Sequence, residues 1–469
     1  MLIDVALVIG VTYLLGSWMH GASVAVLLLI WRGLPDTEGP PVLKLAMTTQ
    51  WIQVAVGLFY GALSGRTLAT TETASYEMTV AIGLGCVAAL TLGLGLGQRL
   101  VQRRMAYPEV CLEHLFTFKT LVVIYFITLA GTGAVQQLSY DMPTIRQALV
   151  ALTLGRLAVV SLVLRRLVRP RFRWDMVALL LTFEVILGFT GFFSGFKEPL
   201  LLTALALLEI FDRRRVDHWV AGGALATCLL LAGVMWMGVR TEFRRDFQDD
   251  AFAASQSLRL QRMQALFKDW YTQTEGHIQD VDNFVDRAWA IYYPALAIAR
   301  VPTVLPHTDG ALFGAAMTHL VTPRFLFPNK PDLPSDSDMV RTYSGVNVAG
   351  AESNTSIAFG YMAEGYVDFG APLMFIPVFL FGLAMGSAYE FFLRTIAHRE
   401  LAVSIVMCIF WINLYLFEKS WAKTMGDSVT TMVYVGGFAC LLDRWLLMRT
   451  GQEQQSVAPP HPAYGDPRR

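Results

Sequence analysis

Residues 78–98 read MTVAIGLGCVAALTLGLGLGQ, with no charged side chain, and Arg99, Arg103 and Arg104 follow directly. At 1.5 Å of rise per residue, a helix of this length covers roughly 30 Å, the depth of a bilayer's hydrocarbon. Similar apolar runs recur near 3–31, 42–64, 113–135, 147–167, 175–193, 198–212, 218–239, 371–393, 401–417 and 428–448. The run at 3–31 is long for one helix and short for a hairpin of two, and the run at 198–212 is short. The chain is 54% hydrophobic and 16% charged, where a soluble domain carries about 25% charged residues. The expected fold is all-α and polytopic, with about eleven transmembrane helices.

Formal net charge is zero over 469 residues, so no global basic field recommends nucleic acid as a partner. The five cysteines (Cys86, Cys111, Cys228, Cys408 and Cys440) lie in or beside apolar runs without CxxC spacing, as buried small hydrophobes do. Neither a disulfide framework nor a metal site is expected. The first apolar stretch has no basic segment before it and no clear small-residue cleavage site, and it reads as a first span.

Charge placement sets the expected orientation. Arg32, Arg99, Arg103, Arg104, the cluster Arg165 to Arg173, Arg213 to Arg215, Arg394, Arg399, Arg444 and Arg449 all follow odd-numbered spans when eleven are counted. Positive residues collect on the cytoplasmic side, which puts the N-terminus outside and the C-terminus inside. A second span within the first 31 residues would move only the N-terminus. On this count 1–239 is an N-terminal bundle of about eight spans, 240–370 a large extracytoplasmic loop, 371–448 a set of about three C-terminal spans, and 449–469 a proline-rich, disordered cytoplasmic tail. Within the loop, 240–287 has amphipathic spacing, and 288–301 (AWAIYYPALAIARV) is apolar enough to lie on the membrane surface or re-enter it.

Chemistry-bearing residues concentrate in that loop. Arg324 and Lys330 stand between prolines in TPRFLFPNKP at 322–331, and an arginine fork matches phosphate oxygens. The alternative is a stiffened loop with solvated charges. Glu364 and Asp368, four apart, share a face if helical; at the loop's entry to the membrane, partial desolvation would raise a carboxyl toward the range of a general base. The alternative there is that both satisfy nearby arginines. Lys197 sits in a tight outer turn, where it either enters an outer cavity or snorkels. Arg240, Arg244 and Arg245 stand against the positive-inside bias, which suggests anionic headgroups or a lipid-linked phosphate. Arg156 and Glu184 are intramembrane charges, functional candidates by default unless they pair with each other. His277, His307 and His319 lack ligand spacing.

The segments Pro323-Arg324-Phe325-Leu326-Phe327-Pro328-Asn329-Lys330-Pro331 and Glu364-Gly365-Tyr366-Val367-Asp368-Phe369-Gly370 resemble the O-antigen polymerase family of oligosaccharide repeat-unit polymerases. Asp286-Arg287 and Gly195-Phe196-Lys197 resemble family positions more weakly. The resemblance implies a glycosyltransferase of the bacterial inner membrane that needs neither metal nor cofactor. Such an enzyme moves a glycan from a polyprenyl diphosphate donor to a polyprenyl diphosphate-linked oligosaccharide, among membrane lipids and beside a flippase and a chain-length regulator. It would place Arg324, Lys330, Arg341, Arg287, Lys197 and Arg244 on the diphosphate. Glu364 would be the base, with Glu352 and Asp368 behind it, and Tyr361, Tyr366 and Tyr343 would line a sugar path. An O-antigen ligase uses similar parts. A transporter or flippase is disfavoured by the lack of internal repeats.

Overall fold

The computed structural model describes residues 2–37, 39–108, 116–142, 145–168, 173–189, 197–212, 214–246, 256–273, 277–322, 326–327, 329–350, 352 and 356–457. Among these residues every regular element is helical and no strand occurs. Seven helices are long and apolar enough to cross a membrane: Val42–Ser64, Tyr76–Arg104, Phe118–Val135, Ala148–Val168, Val216–Phe243, Phe375–Thr395 and Trp421–Met448. The protein is therefore an all-α membrane protein. The other apolar runs form shorter helices, Trp174–Phe189, Lys197–Ile210, and Arg399–Val406 continued through a π-helical turn at Met407–Trp411.

The first run is a hairpin. Leu2–Leu15 and Trp18–Gly33 are separated by Gly16 in the left-handed conformation and by Ser17, whose hydroxyl accepts the Met19 amide. The two helices return on each other so that Arg32 pairs with Asp4. The N-terminus and Arg32 thus lie at the same end of the hairpin.

The centre of the bundle is the contact of Tyr76–Arg104 with Phe375–Thr395. Gly93 and Gly97 on the first face Gly382 and Gly386 on the second, each pair spaced as small-xxx-small, which lets two backbones approach closely. A Cβ built on Gly93 would lie 2.2 Å from the Phe379 carbonyl, and one on Gly386 2.1 Å from that of Leu94.

Polar contacts gather at two ends. At one end, Arg99 donates to the Gly33 carbonyl, Arg394 to that of Met105, and Arg165 pairs with Glu209 at 2.8 Å. Arg166 pairs with Glu400 there. The other end carries Thr70, Lys197, Arg240 and most of 277–370. The 288–301 stretch does not lie flat on a surface. Trp289 is fully buried, donates through Nε1 to the Val54 carbonyl at 2.8 Å, and fills the space above Gly57 in the Val42–Ser64 helix. The last helix runs to Val457, past the point where disorder was expected. Gln452, Glu453, Gln454 and Gln455 are sound helix formers and no proline lies within 437–457. Residues 458–469 lie outside the described residues.

Candidate functional site

The two motif carboxylates lie on the Gly360–Phe369 helix and both are buried. Asp368 accepts the amides of Leu312 at 3.0 Å and Phe313 at 2.7 Å, and the Thr308 hydroxyl. It is a remote cap on the Ala311–Val321 helix, whose own N-cap, Gly310, has no side chain to offer. Lys330 closes the opposite end of that helix, donating to the His319 carbonyl at 3.0 Å and the Thr322 carbonyl at 2.7 Å. An acid at the N-terminus and a base at the C-terminus complement the helix dipole. Among the described residues Asp368 meets backbone amides and a hydroxyl rather than an arginine.

Glu364 accepts the Trp421 amide at 2.8 Å, where the Trp421–Thr431 helix begins. Burial pushes its carboxyl up to about 8 from an ordinary 4.5, with Asp336 and Asp368 adding to the rise; the Trp421 amide and Lys423 oppose it. The folded chain therefore holds a proton that the unfolded chain releases. Stability from this group is present at low pH and is lost as pH climbs from about 4.5 to about 8. Glu364→Gln has no proton to lose but keeps an acceptor for Trp421. Its melting temperature is expected to fall less than that of the wild type between pH 5.5 and 8.5, and equal slopes would disprove the assignment.

Arg341 and Glu352 tie a loop together. Arg341 pairs with Glu352, donates Nε to the Val348 carbonyl at 2.9 Å, and reaches Asp338 at 3.2 Å. Tyr361 is buried between Phe417 and Trp421 and donates to Gln50 at 2.7 Å; Tyr366 is buried beside His307. Tyr343 is half-buried and stacks on Phe359. Arg324 and the Arg244 side chain lie outside the described residues.

Arg287 and Lys197 are brought together elsewhere. A cleft of about 440 Å³ is lined by Arg240, Asp286, Arg287, Tyr292, Tyr293 and Glu418, among others. Arg287 ends the His277–Ala288 helix. Two acids on that helix anchor it: Asp282 accepts Tyr60 at 2.6 Å, and Asp286 accepts the Thr70 hydroxyl at 2.7 Å and amide at 3.2 Å. Arg287 then holds Glu418 in a two-pronged pair of 2.6 and 2.8 Å. The Glu418 charge, with that hydrogen bond, holds the guanidinium above its ordinary value. Lys197 stands 5.4 Å from the centre of the Tyr415 ring and in the field of Glu198 and Glu418. Tyr293 senses Arg287, Glu418 and Arg240 together, and burial raises its phenol.

Glu418 went unnoticed in the sequence. Its signal was a charged pair, Glu418-Lys419, set between Leu416-Phe417 and Trp421 at the end of an apolar run. Arg156 and Glu184 pair with each other, at 2.7 and 3.0 Å, and Tyr125 donates to the same carboxylate. Among the described residues no cluster of His, Cys, Asp and Glu suits a metal ion.

Comparison with curated proteins gives no match. Comparison with solved structures gives none either. A family model does match residues 79–410, a stretch that runs from the second long spanning helix through Arg287 to the π-helical turn. The chain belongs to that family, described as a domain of unknown function, DUF8712.

Proposed function

We propose that the protein is a membrane transferase acting on polyprenyl diphosphate-linked oligosaccharides, extending a glycan at the outer face of a bacterial inner membrane. The single observation that carries this is the cleft, which joins two arginines, two tyrosines and two carboxylates at one end of a helical bundle. Charge-assisted contacts from arginine suit the diphosphate of a leaving group. Tyrosine faces suit sugar rings, and the adjoining apolar helices suit a prenyl chain. Twelve membrane passages, with the hairpin counted as two and the arginine-rich end cytoplasmic, would set this cleft outside and both termini on the cytoplasmic side.

The bond change balances without further reactants. The acceptor hydroxyl oxygen bonds to the donor's anomeric carbon, and the bond from that carbon to the diphosphate breaks. Its electron pair leaves on the diphosphate, and the hydroxyl proton passes to a protein carboxylate. The purified protein in liposomes, given polyprenyl diphosphate-linked repeat units, is expected to yield longer saccharides and free polyprenyl diphosphate in equal numbers, with a chelator present. Recovery of unchanged substrate would overturn the proposal.

A further inference from the structure

We infer that Glu418 is the proton acceptor of the cleft, kept in place by Arg287 until a diphosphate takes the arginine over. The inference rests on the transferase proposal above and assigns its base.

The other acids weighed for this role each accept at least one backbone amide or hydroxyl that a substrate would not displace. Asp286 holds Thr70, Glu352 holds the Gly350 amide at 2.9 Å besides Arg341, Glu364 holds the Trp421 amide and Asp368 caps a helix. Glu418 is different, because its partner Arg287 is a cation that an arriving diphosphate would also claim. When the guanidinium fork turns to phosphate oxygens, the carboxylate is left beside the leaving group, unpaired by that fork and able to accept a proton. The step moves the acceptor hydroxyl's proton to a Glu418 oxygen as its oxygen bonds to the anomeric carbon and the diphosphate departs. Water then takes the proton and Arg287 returns.

The turn bearing Glu418 is built to hold one position. Gln50 donates to the Leu414 carbonyl, Gln53 donates to that of Tyr415 at 2.7 Å and accepts the Phe417 amide at 3.1 Å, and the Tyr361 amide donates to the Lys419 carbonyl at 2.6 Å. Gly360, left-handed at φ 89°, packs so close that a Cβ there would meet the Phe417 carbonyl at 2.8 Å and the Glu418 Cα at 3.1 Å. Side chains from Val42–Ser64 and the start of Gly360–Phe369 thus clamp the backbone on both sides of Glu418, which is how a reactive group is preorganised. Tyr361, named above for a sugar path, is buried behind this turn.

The test uses the full-length protein in liposomes, with undecaprenyl diphosphate as the binding probe and lipid-linked repeat units for transfer. Glu418→Gln is expected to bind undecaprenyl diphosphate at least as tightly as the wild type, because Arg287 is freed, while transfer slows by about a hundredfold to ten-thousandfold. Glu418→Ala should recover part of its transfer rate when formate is added, a response that a purely structural role does not produce. Wild-type transfer by Glu418→Gln would overturn this inference alone, as would loss of binding and transfer together without rescue. A wild-type protein that neither binds the probe nor transfers would remove the transferase proposal and this inference with it. If Glu418→Gln does not fold, Glu418→Asp keeps the charge but withdraws it by one methylene; slow transfer with intact binding is then expected, and a normal rate would refute the assignment.

Discussion

Arg287→Ala is expected to leave the protein folded while slowing transfer at least about a hundredfold. The two effects separate because they come from different physical settings. In the resting protein the Arg287 side chain is 53% exposed and its Glu418 partner 28%, and an ion pair so open to water contributes on the order of 1 kcal/mol or less to stability. In the transition state the same guanidinium would face a diphosphate gaining charge inside a partly closed cleft. Losing one preorganised donor of that kind costs roughly 3–4 kcal/mol in the barrier. Lysine at 287 should restore only part of the rate, since an ammonium lacks the planar fork that engages two oxygens at once. Thermal unfolding in detergent and chain-length analysis of the product check the two halves. A variant melting as the wild type does and making chains of normal length would leave Arg287 as a surface tie to Glu418.

The second large effect is expected inside the membrane. Glu184 is 1% exposed and its charge is matched by Arg156, with Tyr125 on one of the same oxygens. Arg156→Ala leaves that carboxylate in hydrocarbon surroundings with the Tyr125 phenol as its one remaining partner among the described residues, and breaking a buried pair from one side costs about 3–5 kcal/mol. The variant should melt well below the wild type in detergent. Replacing both members, Arg156→Met with Glu184→Met, removes the stranded charge and is expected to regain most of that loss. If the pair only joins the Arg146–Val168 and Trp174–Phe189 helices, the doubly substituted protein also transfers normally. A folded double variant devoid of transfer would instead give these charges a part in moving substrate, and would revive the transporter alternative.

Much of the fold was legible along the chain, and the seven long helices coincide with apolar runs read from composition alone. The remaining runs show what composition does not resolve. Residues 3–31 are uniformly apolar, yet Gly16 and Ser17 turn them into a hairpin. Residues 401–417 contain a π-helical turn at Met407–Trp411, which no periodicity of side chains announces. The 288–301 segment has the make-up of an interfacial helix, and only the Cβ-free surface at Gly57 explains why Trp289 is buried instead.

The site was less legible, for a related reason. Spacing placed Glu364 and Asp368 on one helical face, and the structure does put both on one helix; spacing is silent on which distant amides wait there. Trp421 is 57 positions from Glu364, and Phe313 is 55 from Asp368. Both carboxylates meet amides at the start of distant helices, and Lys330 meets carbonyls at the end of one. Arg287 pairs with Glu418, 131 positions further on, and Lys197 lies in the field of the same carboxylate. Apolar runs report membrane helices directly because each helix satisfies its own backbone hydrogen bonds in hydrocarbon, a requirement met within some twenty consecutive residues. A cleft is composed of side chains from separate helices, and their meeting depends on how those helices pack, which the glycine contact between Tyr76–Arg104 and Phe375–Thr395 and the turn pinned by Gln50 and Gln53 decide.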